Sequence, residues 1–442
     1  MAFILKINKF LISPKTIISL IILTLAACLI GFLVPQITDK SPSFFETWQE
    51  NNIYTYRFVT RLQLHQVYTS YWFLGLVCLI AISLLSSLYA QIKKNLNYRL
   101  KCGTQNTEYR TLNTDKIRTA LHKKRYREQG FINEGNKLIF TKNSISRWGS
   151  VIFHAGLLLV VISAILVLCF QNRGFVQLIE GDTFVGKESG FIVKSRGALA
   201  GEYNTVFYTF LSKLDHTYWE TGKLKHLESS LTIVEDKEQT DKKVSINNPL
   251  FIKGTNIYQS DDYGYTLSFV LKKLTGEKVV SHFNIDRASN VRKHAIGKSD
   301  YPMSPYIVEM KFLPDLEKKS FYLNKPIVYL NIAEGLNNVF SGLVIPGDAV
   351  KIKDDILHFT GVRYWSGLIF VKNPGMSIAY IGFVIVIIGL VIMFLLPYKE
   401  IHLSFDPVQE VYNITGKTKK YEAIFNEELD EIRGEIEKKI ES

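Results

Sequence analysis

The sequence predicts an integral membrane protein, with four transmembrane α-helices and a large β-rich extracytoplasmic domain between the third and the fourth. Three observations lead there. Four blocks without Asp, Glu, Lys or Arg, at 16–34, 71–90, 149–170 and 376–396, are each close to the roughly 20 residues that a helix needs to cross a bilayer. Lys and Arg crowd the segment between the second and third blocks, as in a loop kept on the cytoplasmic side. Residues 171–375 abandon the helical pattern for short β-branched and aromatic runs separated by Gly, Asn, Asp and Pro.

Each element follows in order. Residues 1–15 form a cytoplasmic flank carrying Lys6, Lys9 and Lys15. Helix 16–34 leads to an extracytoplasmic loop, 35–70, and helix 71–90 returns the chain inside. The loop 91–148 holds fourteen Lys or Arg against four acidic residues, including the run HKKRYR at 122–127. Much of the net charge of +12 therefore has a topological cause, and no nucleic-acid partner is expected. This loop reads as solvated, with contact to anionic membrane lipid or to an acidic ligand as the alternatives. Helix 149–170 enters the domain 171–375, helix 376–396 leaves it, and 397–442 is a cytoplasmic tail.

Within the domain, the runs FVQLI at 175–179, SLTIV at 230–234, KVSI at 243–246, YTLSFVL at 265–271, YIVEMKF at 306–312 and PIVYLNI at 326–332 read as strands. GTN, DDYG, NNPL and IPGD read as the turns between them, giving a sandwich or barrel-like stack. Residues 201–226 are aromatic-rich without a clear period. In the tail, Ile424, Leu429, Ile432, Ile436 and Ile440 have roughly helical spacing, so 421–442 reads as an amphipathic helix.

Cysteine usage excludes some chemistry. Cys28, Cys78 and Cys169 fall in apolar blocks and Cys102 in the basic loop, with no C-x-x-C, so neither a dithiol oxidoreductase nor a disulfide-stapled ectodomain fits. Leu25-Ala26-Ala27-Cys28 resembles a lipoprotein processing box, but the apolar run continues through Val34 as a span would. No nucleophile elbow, phosphate loop or two-carboxylate constellation occurs, so no catalytic residue is assigned.

One residue stands out. His154 is the only histidine in the four blocks, roughly 8 Å from the cytoplasmic end of the third. A neutral imidazole there can hydrogen-bond across a helix interface, line a proton path, or ligate a metal such as haem iron. Ala155 and Gly156 beside it leave room for a flat cofactor or another helix. Position alone leaves all three roles open.

Several strings, in order, carry a resemblance: GFLVPQ at 31–36, YTSYWF at 68–73, GSVIFHAG at 149–156, VSINNPL at 244–250, YQSDDYG at 258–264 and GLIFVKNPG at 367–375. With the arrangement of spans they resemble the ResB family, also called CcsB or Ccs-type proteins, of the system II pathway of cytochrome c maturation. Asn373 departs from the Asp that the family has before Pro-Gly. The resemblance is weak over 91–145, the middle of the outer domain and the tail.

The resemblance implies a subunit of a cytochrome c haem-lyase (synthase) complex, required to deliver haem b across the membrane and attach it to apocytochrome c, and not catalytic alone. His154 would be a haem axial ligand. The second imidazole would come from a CcsA/ResC-type partner, because His154 is the one histidine in the four blocks, and that partner would be a separate chain, because its tryptophan-rich haem-presenting segment is absent here: Trp48, Trp72, Trp148, Trp219 and Trp365 are scattered singly. His402, beyond the fourth span, is a fallback second ligand, and His65 lies on the side where haem would arrive. Thiol-reducing proteins of the pathway are further partners. The edge formed by the NNPL and DDYG turns would receive apocytochrome, unless Pro and Gly there only make the turns. A bacterial inner membrane is expected, because no transit peptide precedes the first span, with a plastid thylakoid as the alternative. The rival reading is a membrane-anchored sensor or scaffold whose β domain binds an external ligand.

Overall fold

The computed structural model describes residue 6 and residues 9–37, 42–101, 112–132, 137–236, 238–406, 411–418 and 420–441. Cys102 lies outside them. The chain divides into two compact units, one of Met1–Gln36, Gln49–Leu168 and Gly375–Ser442, the other of Ile37–Trp48 and Cys169–Pro374.

The first unit holds four apolar helices, Pro14–Leu33, Tyr71–Lys101, Ser146–Phe170 and Met376–Leu395. Each is long and apolar enough to cross a membrane. Pro14 suits the first turn, where a backbone N–H has no helical partner to lose. The second helix runs 31 residues, about 46 Å, past its expected end at 90. Gln91, Lys93 and Lys94 are good helix formers, so polarity ends the apolar block without ending the helix.

Glycines set the contact between the third and fourth helices. A Cβ on Gly156 would lie 2.6 Å from the Val386 backbone N, and one on Gly389 would lie 2.4 Å from that of Phe153. Only missing side chains let two backbones approach so closely. Ser163 Oγ donates to the Gly375 carbonyl at 2.7 Å, just ahead of the fourth helix. Ala27, Val67, Phe73 and Val77 pack with Val161, Ile165 and Leu168. There Gln36 Nε2 donates to the carbonyls of Val34 and Leu64, and its Oε1 accepts from the Val67 N–H, clamping the 3-10 turn Leu64–Thr69. The first helix runs unbroken through Cys28.

The basic loop and the tail fold together, which corrects the expectation of a solvated loop and a separate tail. Strands Arg127–Ile132, Lys137–Lys142, Lys399–Asp406 and Val411–Thr418 make one antiparallel sheet in that order, with Lys142 opposite Lys399. Helices Leu112–Lys123 and Glu422–Glu441 bury Ile117, Leu121, Phe425, Leu429 and Ile432 with Tyr126, Phe140 and Ile401 of the sheet segment. Phe425, not Ile424, faces this core, and Ile424 is exposed. The positive charge of 112–147 meets the acidic last helix, with Lys142 Nζ 2.6 Å from Glu428, Lys399 on the same carboxylate and Lys124 Nζ 2.8 Å from Glu431. Those two lysines hold the Glu428 carboxyl below its usual range, against the opposing effect of burial.

The second unit is β-rich. Two 18-residue antiparallel strands, Thr255–Lys272 and Asp355–Lys372, form its spine. Lys278–Asp286 flanks them on one side, and Asn172–Ile179 and then Val193–Arg196 on the other. Part of this sheet packs against Ala295–Asp300, Tyr306–Leu313, Ile327–Glu334 and Asn337–Val344 around Phe269, Phe312 and Phe359. Another part packs against Thr183–Phe184, Tyr208–Tyr218, Leu224–Glu235 and Glu238–Ser245 around Phe184, Leu231 and Phe370. The result is two sandwiches sharing one sheet. Strict alternation of burial along Lys278–Asp286 shows the period that marks a half-buried strand.

Asn247, Gly254 and Gly347 take positive φ at turns, as NNPL, GTN and IPGD imply. DDYG is different. It lies inside strand Thr255–Lys272, where pairing to the neighbouring strand slips between Gln259 and Tyr263, so these residues bulge rather than turn. Residues 201–226 contain strand Tyr208–Tyr218 and its hairpin turn.

A candidate haem-ligand site on the third helix

His154 sits two turns into helix Ser146–Phe170, and its Nδ1 donates to the Ser150 carbonyl at 2.7 Å. A carbonyl has no proton to give, so Nδ1 carries the ring proton. In the neutral imidazole the lone pair is then on Nε2, for which no hydrogen bond occurs among the described residues. Ser150 is itself held, donating from Oγ to Gln91 Oε1 of the second helix at 2.8 Å, while Gln91 Nε2 donates to Ser87 Oγ. The Phe153 ring stands edge-on to the imidazole at 5.3 Å. A ring oriented through one nitrogen, with the other presented, is the arrangement found in histidines that bind metals.

The other two candidates lie elsewhere in the fold. His402, on strand Lys399–Asp406, places Nε2 3.1 Å from Glu400 Oε1. His65, in the turn Leu64–Thr69, is grouped with the start of the second helix, some 30 Å along that helix from Gln91. Burial lowers its basicity, partly offset by a bond to the Val59 backbone. Among the described residues no group of three His, Cys, Asp or Glu side chains is placed to hold a metal ion. A haem at this helix would be held by His154 Nε2.

A cavity of about 630 Å³ lies beside this helix end, its wall including Gln91, Ser150, Lys94, Arg147, Lys417 and Lys420. Sequence reasoning missed it. Ser150, four residues before His154 and so on the same helix face, was the available signal. Lys417 and Lys420 come from a strand and turn some 260 residues away in sequence, with no local sign.

In the β unit, His216 is buried among Tyr263, Tyr322 and Tyr364, where burial lowers its pKa to about 4. His282 Nδ1 is 2.9 Å from Ser268 Oγ, and His226 is half-exposed near Glu228.

Four apolar helices, one carrying a tethered histidine, with a two-sandwich β unit set into the chain before the last helix, define a class of membrane-type protein. The chain belongs to the ResB-like family, which matches residues 15–349 and 333–430. Similar proteins include the cytochrome c biogenesis protein CcsB of Picosynechococcus sp., 22% identical over 97% of this chain and 91% of that protein. The CcsB of Prochlorococcus marinus is 24% identical over 98% of both chains. The chloroplastic cytochrome c biogenesis protein CCS1 of Oryza sativa subsp. japonica is 23% identical over 93% of this chain and 74% of its own.

Proposed function

We propose that this protein acts in cytochrome c biogenesis as a membrane subunit that receives haem b on His154 and works with a CcsA/ResC-type partner to attach it to apocytochrome c. The carrying observation is the His154 imidazole, fixed by Ser150 with Nε2 presented. The names of the similar proteins support the pathway, and the partner is what the resemblance read in the sequence implies. His154 Nε2 would hold haem through its iron, and the haem would bring the vinyl groups to which substrate thiols add. This chain supplies orientation: Gln91 holds Ser150, and Ser150 holds the ring.

The basic layer lies on the cytoplasmic side in this reading and the β unit outside, in a bacterial inner membrane. Pairing of strand Lys137–Lys142, before the third helix, with Lys399–Asp406, after the fourth, supports a common side for those two ends. The β unit would then face the apocytochrome.

Co-expression with the CcsA-type partner tests this. The purified complex is expected to show a Soret band that His154→Ala weakens or shifts, and imidazole added to the variant should restore it. An identical spectrum in wild type and variant refutes the ligand role.

A further inference from the structure

The cavity beside Ser150 has an unusual lining for a site at the end of apolar helices. Lys94, Arg147, and the neighbouring Lys417 and Lys420 converge on it from three parts of the chain, against the single carboxylate of Glu400. The His402 ring lies 3.1 Å from that carboxylate. Two cations are fixed: Lys420 Nζ donates to the Met393 carbonyl at 3.0 Å and lies 3.8 Å over the Phe394 ring, and Arg147 lies over Tyr398. Lys94 and Lys417 are exposed, with side chains long enough to close on a ligand. The volume of about 630 Å³ is within the range of small-molecule sites. One turn of helix, about 6 Å, separates the Ser150 wall from His154.

We infer that this cavity binds the paired carboxylates of a flat apolar dicarboxylic acid, a porphyrin, whose ring extends along the third helix toward His154. This rests on the haem reading above for the identity of the ligand, but it assigns a different contact. His154 takes the metal, and the lysine cluster takes the acid edge. Carboxylates desolvated beside several cations form charge-assisted hydrogen bonds, stronger than neutral ones. An anionic phospholipid headgroup shares this chemistry but gives no reason for the cavity to lie one helical turn from the imidazole.

The test uses the full chain in nanodiscs of phosphatidylcholine, titrated with iron-free protoporphyrin IX or with its dimethyl ester and read by porphyrin fluorescence. The diacid is expected to bind at least roughly tenfold tighter than the diester, in line with one charge-assisted contact. Lys94→Gln/Lys417→Gln should bring the two toward parity, and Lys94→Glu/Lys417→Glu should reverse the preference. Both side chains are exposed, and an unchanged melting temperature confirms that the variants remain folded. His154→Ala should leave the diacid preference intact, because no iron is present, so failure of the ligand reading is seen separately in the haem spectrum. Parity in the wild type, or an unchanged preference in the lysine variants, overturns the inference. Loss of the preference in phosphatidylglycerol nanodiscs also overturns it, assigning the cavity to lipid headgroups.

Discussion

His216 makes the β unit sensitive to acid in a calculable way. Its ring stacks on Tyr322 at 5.1 Å and meets Tyr364 edge-on at 4.7 Å, and Nδ1 has no hydrogen-bond partner. Burial disfavours the imidazolium, and nearby Arg287 adds to this, while Asp215 and the residue's own backbone oppose it. The pKa falls from 6.5 in the unfolded chain to about 4 in the fold. Between those values the unfolded state binds more protons, so stability drops as pH falls from about 6.5 to about 4 and recovers above it. A fall from 6.5 to about 4 corresponds to about 3 kcal/mol in full, with about 2 kcal/mol lost by pH 5. Glu180 and Asp286 are raised by burial and act in the opposite direction, so a difference between two proteins is needed. Hydrogen exchange of the full chain in nanodiscs, read in peptides from strands Leu224–Glu235 and Asp355–Lys372, supplies it. His216→Phe keeps the aromatic packing and should flatten the pH dependence by about 2 kcal/mol between pH 7 and 5. Equal slopes in the two proteins would refute the assignment.

Three other outcomes are expected. Gly156→Val should separate the third and fourth helices and lower the melting temperature in detergent, because its branched side chain meets Val386 and the Gly382 carbonyl where a Cβ alone is within 2.8 Å. Gly264→Ala would place a methyl 2.1 Å from the Ile285 carbonyl and 2.8 Å from Trp365 Nε1, which donates to that carbonyl. The β unit should lose about 3 kcal/mol and become protease-sensitive, and an unchanged digestion pattern would contradict this. Glu428→Gln leaves Lys142 and Lys399 without their carboxylate and should destabilise the small α/β layer by about 1 to 3 kcal/mol, less than a fully buried pair, as measured by exchange in Glu422–Glu441.

Local chemistry was legible where one residue type decides the outcome. The four charge-free blocks read as helices because apolar length needs no partner to be recognised. The strands at 175–179, 265–271 and 306–312 read correctly because their alternation matches the pleat. DDYG was misread because Asp and Gly favour turns locally, while the neighbouring strand instead absorbs them as a bulge.

His154 was visible as an isolated imidazole in an apolar run, and the surrounding string made it the candidate ligand. Its tautomer was not, because that depends on a carbonyl distance. Folding alone joined Lys142 to Lys399 across some 257 residues, turned a basic loop and an acidic tail into one layer, and gathered Lys94, Arg147, Lys417 and Lys420 around a cavity. Hydropathy is a property of a segment and can be read along the chain. Register between distant strands, and the charge they bring together, belong to pairs of segments and exist only once the chain has folded.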